Sequence, residues 1–217
     1  MAAKNLIVMA CCKSKKEDAE RWSRWEIHHS ALGRLSPKRA SNLRECRCEL
    51  ANRYEYKEGR DLGSETRSAV PLMPAYQRYN GNLYGRIESS LWQRLRGKED
   101  VAEVVIVSAL YGLLTPWEAI RKYELAMDDS FAEWHRLSRW WRERELGQML
   151  AEFAVHCGAE TVHDFLPIEY RKATRLGELV DGQFSYKPYR YSSGSGSDYH
   201  RGDDVRELLH GVLGHAE

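Results

Sequence analysis

The segment Cys11-Cys12-Lys13-Ser14-Lys15-Lys16 puts two thiols, a hydroxyl and three amines side by side. A lysine held out of water loses affinity for its proton and becomes a nucleophile; kept charged, it neutralises a phosphate. Lys15 is the candidate, whereas Lys13 and Lys16 read as solvated loop cations. Cys12 becomes a nucleophile if the lysines acidify it; a small buried residue at a strand end is the reading its type favours. Tyr79-Asn80-Gly81-Asn82-Leu83-Tyr84-Gly85 gathers phenols and carboxamides able to read a base or sugar. An Asn-Gly turn before a helix accounts for the same residues. Ser108-Ala109-Leu110-Tyr111-Gly112 adds a hydroxyl, a phenol and a permissive glycine. Arg136, Arg139 and Arg144 flank Trp140, a mixture that stacks on bases or holds phosphates but also describes a solvated helix face.

Three apolar runs are placed to position these groups. LIVMA (6–10), VAEVVIVSAL (101–110) and ETVHDFLP (160–167) read as buried strands. Between them lie helical patterns. Ser36-Pro37 predicts a helix start and a helix over about 38–53. Leu83, Ile87, Leu91 and Leu95 recur every four residues and predict a helix over about 83–96, closed by Gly97. Residues 131–153 predict the longest helix, with Phe131, Trp134, Leu137, Trp141, Met149 and Phe153 inward and Trp140 outward. Pro167 opens another helix, and a last one is expected from about Asp203 to Leu213, capped by Asp203 or Asp204. Pro116 is expected to begin a helical piece after the second strand. Strands separated by helices predict an α/β fold with a mainly parallel sheet flanked by helices and a helix-rich elaboration. Ligands in such sheets bind beyond the carboxyl ends of the strands, where the Lys15, Ser108–Gly112 and Asp164–Pro167 segments would converge.

The chain of 217 residues predicts one domain over 1–217. A charged helical insertion is expected at about 17–60 and a flexible loop at about 188–202, where Gly and Ser dominate. Apolar residues are 42% and charged residues 30%, enough for a core beneath a solvated surface. The net charge of +1 excludes a strong basic field over the whole chain. Locally, residues 21–60 carry ten basic and five acidic residues, compatible with a phosphate-facing surface or a solvated one. No run approaches the roughly 18–20 apolar residues of a membrane span. Together with five cysteines lacking a disulfide framework, this predicts a cytoplasmic protein with no membrane partner. His28, His29, Cys46 and Cys48 are zinc-type ligands without zinc-type spacing. Neither G-x-x-x-x-G-K-[ST] nor G-x-G-x-x-G is present, so no cofactor and no metal is expected.

Four segments, in order along the chain, resemble the YaaA-like family of bacterial peroxide-stress proteins. They are Cys12-Lys13-Ser14-Lys15, YNGNLYGRI, SALYGLLTPWEAIRKYELAM (108–127) and LPIEYRKA. The third is the most specific, similar to the family's S-G-L-Y-G-hydrophobic-L-x-P run. Two positions depart from the pattern. Asn82 stands where the family has a carboxylate, and Lys122 where it has a proline before tyrosine. The resemblance implies an α/β protein with a DNA-binding role linked to oxidative damage or intracellular iron. Position by position it implies Lys15, Tyr84, Tyr111, Pro116, Tyr123, Glu169 and Tyr170 as site residues. The expectation is a protein binding nucleic acid or a nucleotide-type ligand in a strand-end cleft. Lys15, Tyr84 and Tyr111 would act at its centre. Cys12, Asn80, Asn82, Ser108, Gly112, Pro116, Tyr123, Glu169 and Tyr170 would line it, with Arg136, Arg139 and Arg144 along a nucleic-acid backbone. The alternatives are an enzyme (a hydrolase or transferase acting on a nucleobase or nucleoside, with Lys15 as nucleophile) and a zinc- or partner-binding module in 17–60.

Overall fold

A computed structural model describes residues 4–17, 30–66, 68, 70–130, 136–179, 182–192 and 196–214. Its centre is a five-stranded, mostly parallel sheet. Strand β1 (Asn5–Ala10) lies between β3 (Ala102–Ser108) and β6 (Thr161–Asp164), parallel to both. Strand β7 (Ser185–Pro188) extends the sheet in parallel beyond β6, and β4 (Gly112–Leu114) pairs antiparallel with β3 at the other edge. A small antiparallel sheet joins β2 (Met73–Pro74) to β5 (Ala119–Ile120). The three long apolar runs are therefore neighbours, as a near-continuous hydrophobic sequence buried on both faces requires. Seven consecutive buried residues in β3 are the clearest case.

The chain leaves β3 through a buried hairpin. Gly112 has φ +69°, the left-handed region where a side chain is strained. A Cβ there would also lie 2.7 Å from Leu43 and Trp141. The polar groups of this dry turn are satisfied from within the core. Tyr111 N–H donates to Ser108 Oγ, Trp141 Nε1 donates to Ala109 O, and Arg47 donates to Tyr111 O and Leu113 O. Beyond it, Pro116 lies in a buried turn that leads into β5, not in a helix start. Helix α1 (Pro37–Arg53) presses Leu43, Cys46, Arg47 and Leu50 against the sheet. Pro37 occupies its first turn, but Ser36 makes no side-chain cap bond.

The helical expectations over 83–96 and 131–153 are corrected by interruptions. Tyr84–Arg86 is a 3-10 turn, and α3 begins only at Ser89 and runs to Leu95. Leu83, Ile87, Leu91 and Leu95 are nonetheless all buried, because the turn keeps their common face. Helices α4 (Leu137–Glu143) and α5 (Leu146–His156) are separated at Glu145, whose φ is +62°. Trp140 is buried, not outward, with the Arg144 guanidinium 3.7 Å from its ring centroid. Phe131 and Trp134 lie outside the described residues, as do Trp22, Trp25, His28 and His29.

Helix α6 spans Ile168–Thr174 and a short α7 spans Leu176–Leu179. The last helix, α8, spans Ser197–Leu213. It starts six residues before Asp203, so neither Asp203 nor Asp204 caps it. They bind instead across the surface, Asp203 to Arg86 and Asp204 to the Tyr191 hydroxyl. The expected loop of 188–202 is thus partly strand end and partly helix. Gly202 is an asset there, since a Cβ would sit 2.6 Å from Leu83 O where α8 crosses the 3-10 turn.

Candidate functional site

The loop after β1 curls beside the segment that leads to the Asn-Gly turn. Lys15 bridges Tyr79, Lys16 N–H donates to Arg78 O, and Asn80 N–H donates to Ser14 O. Arg78, itself buried, locks this seam by donating to Lys16 O and Pro71 O. The seam drives the Lys15 side chain inward until it is only 7% exposed.

The Lys15 amine meets no carboxylate within ion-pair distance among the described residues. It donates to Cys12 O at 3.0 Å and Lys13 O at 3.2 Å. It stands 4.0 Å from the Tyr123 ring centroid and 5.9 Å from that of Tyr79. Burial lowers its pKa, and the nearby Cys11, Cys12 and Glu124 offset this only in part. The site thus holds an amine biased toward its neutral, proton-accepting form.

Around it runs a hydroxyl network. Tyr79 and Tyr123 share a hydrogen bond of 2.8 Å, Tyr123 and Ser108 one of 2.9 Å, and Cys11 Sγ and the Tyr170 hydroxyl one of 3.0 Å. The Tyr84 hydroxyl donates to Ala10 O, at the end of β1. Burial pushes the Tyr79, Tyr84, Tyr123 and Tyr170 phenols well above their usual range, so each serves as a neutral hydrogen-bonding group. Burial also raises the Cys12 thiol to about 11, outweighing the contribution of Lys15. Cys12 donates to Ser14 O and accepts from Gly81 N–H. It is a structural thiol, not an acidified nucleophile. Toward solvent, Ser14 Oγ donates to Asn80 Oδ1 at 2.7 Å, and Asn82 is exposed beside them.

Lys15, Cys12, Asn80, Tyr84, Ser108, Tyr123 and Tyr170 therefore gather at one end of the sheet. Other expected residues lie elsewhere. The Tyr111 ring stacks edge-on against Tyr123 at 5.6 Å, but its hydroxyl turns away to donate to Asp61. Gly112 and Pro116 shape the hairpin and the turn after it. Glu169 is on the outside of α6, paired with Arg136 and Lys172. Arg139 pairs with Glu143, and Arg144 with Glu49. All three arginines expected along a backbone thus already meet carboxylates.

Sequence reasoning placed Cys11 and Tyr79 in candidate segments without naming them as site residues, and missed Asp61 and Arg121 entirely. Asp61 accepts from Arg121 through both oxygens and from Tyr111; nothing local marks a loop aspartate and a strand-end arginine as partners. Cys46 is buried against Asn42, and Cys48 donates to Leu62 O. Among the described residues no group of three His, Cys, Asp or Glu is placed to hold a metal, and no helix is long and apolar enough to cross a membrane.

A mostly parallel sheet with a buried lysine and neutral phenols beyond its carboxyl edge defines an α/β protein whose polar cluster lies where that class binds ligands. The family model for the peroxide stress protein YaaA matches residues 3–195, and the chain belongs to that family. A search of curated proteins finds no significant match. The family is linked to peroxide stress.

Proposed function

We propose that this protein serves the peroxide-stress response by binding nucleic acid or a nucleotide-type fragment at the carboxyl end of the sheet, with Lys15 as the group that meets the ligand. The observation that carries the reading is the buried amine of Lys15, which meets no carboxylate at ion-pair distance among the described residues, behind the solvent-facing Ser14–Asn80 pair. An amine held only by carbonyls and ring faces gains strongly from an arriving anion. The exposed carboxamides of Asn80 and Asn82 supply donors and acceptors for a base or sugar. The test is fluorescence anisotropy with labelled single- and double-stranded DNA at low and high salt. Binding is expected at low salt, weakening as salt rises, with several-fold loss in Lys15→Ala. No binding at low salt overturns the proposal.

The lowered pKa of Lys15 favours a second reading, an enzyme acting on a nucleoside. A neutral Lys15 amine would attack a sugar aldehyde carbon, water would leave, and an imine would link the two. Borohydride would reduce that imine to a stable secondary amine. With an oligonucleotide bearing an abasic aldehyde, the expected result is a mass increase on the Lys15 peptide. Its absence, with DNA binding intact, removes the nucleophile reading and leaves the binding one.

A further inference from the structure

Beside α6, on a site the Lys15 cluster does not use, lies an open groove of about 420 Å³. Five cations line it: Arg142 from α4, Arg171 and Lys172 from α6, Arg175 just after it, and Arg190 beyond β7. Among the described residues Glu178 is the one carboxylate in the lining. It pairs with Arg175 between two exposed side chains, whereas Lys172, itself exposed, pairs with the partly buried Glu169 carboxylate. An exposed pair such as the first is weak and readily exchanged for a stronger anion. Arg142 and Arg190 are exposed and form no ion pair among the described residues.

Arg171 differs from the rest because it is fixed. Its Nη2 donates to Asp164 O at 2.9 Å and Tyr189 O at 2.6 Å, and its Nε lies 3.0 Å from Asp164 Oδ2. Asp164 is fully buried and also accepts from Leu166 N–H and the Tyr186 hydroxyl. The ends of β6 and β7 thus hold one guanidinium rigidly, while four further cations line the same groove, from α4, from α6 and its end, and from beyond β7. Ile168, 70% exposed, adds an apolar surface at the rim.

We propose that this groove binds a compact terminal phosphate group, either the polyphosphate of a nucleoside triphosphate or the 5′-phosphate at the end of a nucleic-acid strand. The cations converge on one concavity of nucleotide size. They do not form a stripe, and the arginines that would extend one along α4, Arg136 and Arg139, are engaged by Glu169 and Glu143. Several converging charges on one small anion suit a polyphosphate better than a phosphodiester backbone, whose charges are spread along the strand. The site does not depend on Lys15 or on the ligand proposed for it.

Isothermal titration at low salt with inorganic tripolyphosphate, ATP, and a short oligonucleotide with or without a 5′-phosphate tests this. The second protein is the Arg142→Gln/Arg190→Gln double variant. Both positions are exposed and unpaired, so its thermal midpoint should match the parent. Tripolyphosphate and ATP are expected to bind, with roughly tenfold or greater weakening in the double variant. If only the 5′-phosphorylated oligonucleotide binds, and the variant weakens it, the source is a nucleic-acid end. No binding of any probe at about 1 mM overturns the proposal, as that is beyond the weak limit of specific sites. Binding unchanged in the variant overturns it too. So does equal binding of oligonucleotides with and without the 5′-phosphate, which would make the groove a backbone track.

Discussion

Lys15 and His163 show how burial is the largest influence on two groups in different parts of the fold. Lys15 sits beyond the carboxyl edge, where burial lowers its pKa. His163 lies within β6, donating or accepting toward Asn5 Oδ1 at 3.0 Å and the Tyr189 hydroxyl at 3.1 Å. Burial, with Lys187 nearby, lowers its pKa from 6.5 to about 4. The unfolded chain takes up this proton near pH 6.5, while the folded one resists until about 4. The contribution of His163 is therefore complete above pH 6.5 and lost as pH falls toward 4. A thermal-denaturation series from pH 7.5 to 4 should show a falling midpoint, with a shallower fall in His163→Gln. A variant profile parallel to the parent's would assign the acid sensitivity to other groups.

At the scale of elements, close approaches set what the helices tolerate. Gly147 in α5 faces the end of α6, where a Cβ would lie 1.8 Å from Thr174 O. Backbone cannot yield as a side chain can, so Gly147→Ala should cost on the order of 2–4 kcal/mol in urea unfolding. A loss below about 0.5 kcal/mol would mean that the two helices slide freely, contrary to close-packed interiors. Strands β1 and β3 were legible because strands buried on both faces are nearly continuously apolar; β6 is shorter and holds the buried His163 and Asp164. β7 was not legible. Ser185–Pro188 is mostly exposed and has no hydrophobic alternation to read. The start of α8, SDYHRG, was hidden for a related reason: its glycine and serine signal a loop, whereas Gly202 is needed for the crossing over Leu83. The break at Glu145 has no breaker residue, so periodicity ran through it.

Across the whole molecule, buried ion pairs connect segments far apart in the chain. Arg47 on α1 binds the hairpin carbonyls and lies 3.4 Å from Glu118, which in turn accepts from Ala31 N–H and Thr115 N–H. Asp61 joins Arg121 and Tyr111. Sequence reading takes charged residues as surface, and residues 17–60 in particular as a charged insertion, so this framework was invisible to it. The lysine site was more legible, because a strand end can be located from an apolar run alone. Asp61→Ala would leave Arg121 buried without its carboxylate. Unfolding stability should drop by about 3–5 kcal/mol. Loss of less than about 1 kcal/mol would show that solvent reaches Arg121 and replaces the pair.

The strand order carries a consequence in time. β1 is the middle strand, with Asn5 beside Ala102 on one side and Thr161 on the other. Neither neighbour is close to it along the chain. During synthesis, β1 leaves the ribosome long before either partner and waits as an unpaired apolar segment. Sheet assembly then requires two long loop closures, the kind of topology that folds slowly. Until β3 is made both edges of LIVMA are open, and until β6 follows one edge stays open to other chains.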